Sequence, residues 1–359
     1  MFKFYSNIFL FIFLISFSGK TFSAINKWSS SLPRKTFFKP ETELQDRVSF
    51  WVDIYSKYST SQGVFHNTDH PSQIYGVVDL SIIQNSYILS EQTKRRRIQS
   101  LIETNRKQLI VKFKIRNKNK IRLQMGLKDR MQNALQVSGK YLPMMEKIFK
   151  DKNLPPELTR IVFVESSFNI YAQSKVGASG LWQIMPSVGR AEGYVQKYYD
   201  KRNHPYYSTL LAANILQHNY KKLKNWPLAI TAYNHGLTGV RRMQFKAGTD
   251  QISELIDSTE KTNSWGFASE NFYSCFLAAL EVERNAKILF GQSLIPAVPA
   301  QVQNVYLPAA KNHNEILKIY SGSIRKMRSY NPHLRLTQLR QKKFFPAGTP
   351  LVVPINTIL

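Results

Sequence analysis

The stretch Glu157-Leu158-Thr159-Arg160-Ile161-Val162-Phe163-Val164-Glu165-Ser166-Ser167-Phe168-Asn169 decides how this chain reads. Leu158, Ile161, Val162 and Glu165 fall at i, i+3, i+4 and i+7, the repeat of one helix face. That face is apolar except for Glu165. A carboxylate held there loses its water, which raises its pKa and keeps it protonated near neutral pH. A general acid needs that property. A structural glutamate bonded to backbone donors fits the same pattern, so the helix face alone leaves both readings open.

Working outward, Pro155 and Pro156 suit the first turn of that helix, where a missing N–H costs nothing. Downstream, Asp200 to Pro205 reads as a loop and Tyr207 to Tyr220 as a helix. Asn225-Trp226-Pro227 starts another helix, and Gly236 suits its end in a left-handed conformation. Asn271 to Ala286 reads as a further buried helix. Residues 151–290 show no period-2 alternation, so this centre is expected to be all-α.

The flanks differ in character. Residues 25–43, with Pro33, Pro40 and several Ser and Lys, read as a flexible leading segment. Residues 44–150 read mostly helical; Val48, Trp51, Val52 and Tyr55 repeat as one amphipathic face. From Lys94 to Arg122 there are twelve Lys and Arg against the single acid Glu103. An anion-binding face and a plain solvated surface both fit that run. In residues 300–359, Tyr306-Leu307, a short helical stretch and the string Pro346 to Pro354 suggest a small α+β module ending in an edge-like strand bounded by prolines.

Composition sets the outer limits. The 359 residues include 50 Lys and Arg against 23 Asp and Glu, a formal charge of +27, with 43% hydrophobic residues. A collagenous or wholly disordered chain is excluded, and two or three domains are expected. Cys275 stands alone, so an intrachain disulfide or a cysteine-based metal site is ruled out. The charge calls for an anionic partner. Residues 1–24 carry Lys3, the apolar run Ile8–Phe17 and then small residues, with cleavage expected after Ser23 or Ala24. Ten apolar residues are too few to span a bilayer, so this reads as a secretory signal peptide. A secreted chain rarely meets DNA, which moves the expected anion to the cell envelope.

After Glu165 come Ser174, Gly177, Ala178, Gly180, Leu181, Trp182, Gln183, Ile184, Met185 and Pro186, a small-residue turn with an aromatic and an amide. Glycines admit close backbone approach to a ligand, Gln183 can bond hydroxyls and acetamides, and Trp182 suits either a sugar face or the core. Ala232-Tyr233-Asn234-His235-Gly236 places an aromatic and an amide at a helix end. Together with Glu165-Ser166, these strings resemble the soluble lytic transglycosylase family, goose-lysozyme-like enzymes of bacterial peptidoglycan. Within it they are similar to the branch containing membrane-bound lytic murein transglycosylase D. The likeness covers residues 140–290. Upstream, Phe50-Trp51, Gln62-Gly63-Val64 and Gly139 to Pro143 resemble that branch's flank. His235 and His204 depart from the family pattern; a small residue and an acid are usual there.

The resemblance implies a mainly α protein: a lysozyme-like α-helical catalytic domain over 140–295, a basic and mostly helical region over 25–139, and a small C-terminal module over 300–359. Asn331-Pro332-x-Leu334 and Pro346-Ala347-Gly348 in that module resemble a degenerate glycan-binding LysM repeat. By position, Glu165 is the expected single catalytic acid and base. Ser174, Gln183, Met185, Tyr233 and Asn234 are expected to bind the amino sugars, with Tyr273 placing its hydroxyl near the catalytic carboxyl. No metal and no cofactor is implied. The expected activity is cleavage of the β-1,4 bond between N-acetylmuramic acid and N-acetylglucosamine with 1,6-anhydromuramyl ends, by a monomer in the periplasm or envelope. The expected partners are peptidoglycan glycan strands and other anionic envelope polymers, with no nucleic acid. A hydrolytic muramidase of the same fold and an inactive wall-binding protein are the alternatives; a secreted nucleic-acid binder rests on charge alone.

Overall fold

Helices dominate the computed structural model, which describes residues 37–258, 264–291, 294–335, 344–355 and 357. The expected signal peptide, and the leading segment as far as residue 36, lie outside them. Helix α1 (Gln45–Ser56) is followed by strands β1 (Gln62–Asn67) and β2 (Ile74–Asp79), a short α2 (Ser81–Gln84), the long α3 (Glu91–Lys112) and strand β3 (Ile121–Met125). The helical body comprises α4 (Lys128–Ser138), α5 (Leu142–Asp151), α6 (Ile161–Ser166), α7 (Pro186–Ala191), α8 (Pro205–Leu223), α9 (Trp226–His235), α10 (Leu237–Ala247), α11 (Ile252–Asp257), α12 (Phe267–Arg284) and α13 (Ala286–Phe290). A C-terminal unit adds β4 (Val302–Tyr306), α14 (His313–Ile319), α15 (Ile324–Tyr330) and β5 (Pro350–Pro354).

Local signals explain several helix starts. The Asn225 side chain accepts from the Leu228 N–H at the head of α9, and His204 Nδ1 accepts from the Tyr206 N–H at the head of α8. Such caps satisfy N–H groups that have no partner inside the helix. Helix α8 therefore starts at Pro205, earlier than the Tyr207 expected from the sequence. The helix expected from Glu157 onward is two pieces, a 3-10 turn over Pro156–Arg160 that hands over to α6.

The amino-terminal region departs from its helical reading. Strands β2, β1 and β3 form an antiparallel sheet in that order, with Val64 opposite both Val77 and Gln124. Gly63, Val64, Phe65 and His66 are all buried. Val64 packs into the main core, while Phe65 packs into a smaller cluster with Val78, Leu80 and Ile121, against which Leu101 and Leu109 of α3 lie. A strand with apolar contacts on both faces shows no alternation, which hid it.

One hydrophobic core runs from Phe38 to Leu294. Helix α1 belongs to it: Arg47 Nη1 and Trp51 Nε1 donate to Asn271 Oδ1 of α12 at 3.2 and 2.9 Å. The boundary expected at residue 139 is thus not a break in packing. At the centre, fully buried Arg160 bonds Glu283 through Nε and Nη2 at 2.7 and 2.8 Å and Glu146 through Nη1 at 2.5 Å.

The C-terminal unit is the expected α+β module. Antiparallel β4 and β5 pair Asn304 with Val352, over a core of its own built on Leu307, Ile316, Tyr320 and Met327. Asn331 holds it together, donating to the Tyr320 hydroxyl at 2.7 Å and accepting from the Val352 N–H at 2.7 Å. The unit docks on the loop before α8: the Asp200 N–H donates to the His333 carbonyl at 2.7 Å, and the Arg335 N–H to that of Tyr198 at 3.0 Å.

Candidate active site

Glu165 is the last residue but one of α6. Leu158, Ile161 and Val162 on the same face are fully buried, and Glu165 itself is half-buried. Ser167 and Phe168 both take left-handed backbone, with φ of 49° and 56°. For a phenylalanine that conformation is strained, and it persists where packing over-determines it. Phe168 meets that condition, lying edge-on to Phe163 at 4.7 Å and stacked beside Tyr141 at 6.5 Å. The chain turns away from the helix immediately after the carboxylate.

Burial alone pushes the Glu165 carboxyl up to about 8. No hydrogen bond or ion pair to that carboxylate is found among the described residues, so nothing stabilises its charged form. Two tyrosine hydroxyls lie close enough to feel it: burial, and then the Glu165 charge, drives Tyr233 well above its ordinary value, and burial, then Cys275 and last the Glu165 charge, does the same for Tyr55. Tyr55 comes from α1 and lies beside Cys275. Its place at i+7 of an amphipathic repeat marked it as apolar filling, and no local signal distinguished its hydroxyl.

The loop from Ala172 to Pro186 is braced on three sides. Ser174 accepts from the Ala178 N–H at 2.9 Å, closing a turn within the loop. The Arg202 guanidinium, paired with Asp200 at 2.7 Å, donates to the carbonyls of Gly177 and Ile184, both at 2.9 Å. Gly180, at φ 76°, presses against the Arg202 carbonyl, and a Cβ there would overlap it. The close approach that its sequence position suggested is therefore to the protein's own backbone. Ser166 Oγ donates to the Leu181 carbonyl and Tyr233 to that of Trp182, each at 2.8 Å. These bonds tie α6 and α9 to one loop.

The predicted residues thus divide. Gln183, at φ 45°, turns its amide nitrogen to the carbonyls of Gly180 and Ala172 at 2.8 and 3.1 Å, and its amide oxygen has no hydrogen-bond partner among the described residues. Met185 is 41% exposed at the head of α7, and Asn234 is exposed at the end of α9. Trp182 is a core residue at 0% exposure, stacked on Phe149 at 5.7 Å and donating to Thr209 Oγ1 at 2.9 Å, so it offers no face to a sugar. The Tyr273 hydroxyl donates to the Lys39 carbonyl at 3.2 Å and is influenced by Glu41, while Tyr55 and Tyr233 respond to Glu165. His235 bonds Ser269 Oγ at 2.9 Å and lies edge-on to Trp265, bracing α9 against the start of α12. Asp200 is held by Arg202, and Glu192 is exposed past the end of α7. A cavity of about 490 Å³ lies elsewhere, between Phe38, Val52, Leu280 and Arg284.

Residues 143–256 match the transglycosylase SLT domain family. Over 89 residues the chain is 42% identical to membrane-bound lytic murein transglycosylase D of Escherichia coli strain K12, a match covering 24% of this chain. It spans 20% of that relative's length. The 70 kDa soluble lytic transglycosylase of Escherichia coli aligns in structure at a TM-score of 0.34 and 22% identity, over 44% of this chain and 26% of that one. An inactive mutant of the lytic transglycosylase Slt from Pseudomonas aeruginosa aligns at a TM-score of 0.32 and 21% identity, over 43% and 25%. The matched family segment contains Glu165, the braced loop, Tyr233 and Asn234, and the chain carries a transglycosylase SLT domain.

Proposed function

We propose that this protein is a peptidoglycan lytic transglycosylase that uses Glu165 as its only acid and base. One observation carries the reading: within an SLT domain, a carboxyl with no ionic partner among the described residues is pushed by burial to about 8. It holds a proton at neutral pH and can give it up when a substrate oxygen arrives. Glu165 would protonate the oxygen linking N-acetylmuramic acid to N-acetylglucosamine, and that glycosidic bond breaks. The carboxylate then takes the proton from the C6 hydroxyl of the muramyl residue as the C6 oxygen closes on C1. The proton count balances without water, and the product ends are 1,6-anhydromuramyl. Ordinary glycoside hydrolysis draws on a second carboxylate as base or nucleophile. The commitment of Asp200 to Arg202 favours the ring-closing route.

Gln183, Met185 and Asn234 offer an amide oxygen, an apolar edge and an exposed amide for the acetamido sugars, and Ser174 shapes the loop that presents them. The formal charge of +27 suits a substrate whose lactyl groups and stem peptides carry carboxylates. Action in the envelope, by a monomer and without a cofactor, completes the reading; no described helix is long and apolar enough to cross a membrane. Mass spectrometry of the fragments released from purified sacculi tests it. Anhydromuramyl ends are expected. Reducing muramyl ends would make the protein a muramidase, and intact sacculi would make it a wall-binding protein.

A further inference from the structure

The connection from β2 into α3 presents three large apolar side chains to solvent: Ile82 at 89% exposure, Tyr87 at 102% and Ile88 at 95%. Isolated exposed apolar residues are ordinary on a protein surface. Three within seven residues, followed in the chain by a cluster of charge, make a candidate interaction surface. Leu80, 2% exposed, roots the connection in the cluster beneath α3, so the tip is presented by a packed base.

The charge lies immediately beyond. Arg95, Arg96 and Arg97 are all exposed in the first two turns of α3 and form no ion pair among the described residues. The ion pairs of this helix there are Lys94 with Glu91 and Arg106 with Glu103. Helix α3 buries none of its residues fully; it lies half-packed on the sheet and carries its cations outward.

We propose that the Ile82–Ile88 tip and Arg95–Arg97 form a peripheral anchor that docks this protein onto an anionic phospholipid surface. The pairing of chemistries selects this partner. Apolar side chains enter the boundary between headgroups and acyl chains while guanidinium groups meet lipid phosphates. A hydrated anionic polymer would engage the arginines but leave the two isoleucines no apolar region to enter. A second copy of this chain would bring the same three arginines against themselves. The inference stands apart from the chemistry at Glu165, since release of fragments from detached sacculi does not require it.

Vesicle sedimentation with the full chain tests the anchor. Wild type should bind vesicles of mixed phosphatidylglycerol and phosphatidylethanolamine at least tenfold more tightly than vesicles of phosphatidylcholine. Ile82→Ser/Tyr87→Ser/Ile88→Ser removes only exposed side chains and should fold as wild type by circular dichroism. It should lose at least tenfold in vesicle binding at 0.15 M salt while keeping its sacculus binding. Arg95→Gln/Arg96→Gln/Arg97→Gln should lose the preference for anionic over neutral vesicles. Wild type that ignores anionic vesicles, or an apolar variant that binds them as wild type does, would overturn the proposal. Loss of sacculus binding with vesicle binding intact would assign the surface to the wall polymer instead.

Discussion

Replacing Glu165 by Gln probes the same carboxyl through stability and through chemistry. In the folded chain burial raises Glu165 from 4.5 to about 8; in the unfolded chain the group returns to its ordinary value. The folded state therefore holds this proton more tightly than the unfolded state. Stability from this group is complete below about pH 4.5 and is lost as pH rises through 8. At pH 7 the loss spans about 2.5 pH units at 1.36 kcal/mol each, roughly 3 kcal/mol. Gln has no proton to lose, so Glu165→Gln should be more stable than wild type by roughly 3 kcal/mol near pH 7 and by almost nothing near pH 4. Urea unfolding of both proteins across that range measures the difference. Release of anhydromuropeptides by the variant should fall by about a hundredfold or more, the usual worth of a positioned acid and base. A stability difference that does not change with pH would mean that the carboxyl titrates normally. A variant retaining more than about a tenth of the wild-type rate would move the acid role to another group.

Burial sets the proton affinity of the histidine pair between α8 and the C-terminal unit low: His333 to about 4 and His204 well below its ordinary value. Their rings are 4.5 Å apart, among Lys201, Asp200 and the Tyr207 ring. Both therefore fold neutral, with the stability they confer complete above about pH 6.5 and lost as pH falls toward 4, roughly 3 kcal/mol for His333; His333→Gln should flatten the acid limb of a thermal-melt profile. Arg160→Met leaves Glu146 and Glu283 buried without their guanidinium, and calorimetry should show a loss of about 3–5 kcal/mol. Gly180→Ala places a Cβ against the Arg202 carbonyl at φ 76°, which should cost about 1–3 kcal/mol by denaturant midpoint and lower glycan release by displacing the loop that carries Gln183.

Much of this was legible in the chain itself. The apolar face under Glu165, the Asn225 cap, the proline-bounded final strand and the small-residue loop after Ser174 all rest on signals within a few residues. Helix periodicity, caps and turns act over that range, so a local reading reaches them. The strings around Glu165, Gln183 and Tyr233 were long and ordered enough to point to the SLT domain before any fold was in view.

Other features required the tertiary structure. Strand β1 pairs with β3 some 60 residues away and is buried on both faces, so neither its partner nor its period was visible locally. Arg160 finds Glu283 across 123 residues of chain, and nothing at either position announces the other. Trp182 could serve a sugar or the core, and the packing of Phe149 against its ring decided for the core. Of the tyrosines, Tyr273 had the family's place, yet its hydroxyl goes to Lys39 while Tyr55 and Tyr233 lie near the carboxyl. Chain-local chemistry determines which residues form a helix and which face is apolar. Where a single hydroxyl, ring or guanidinium ends up is determined by how distant elements pack, because that packing sets both its hydrogen-bond partners and its access to water.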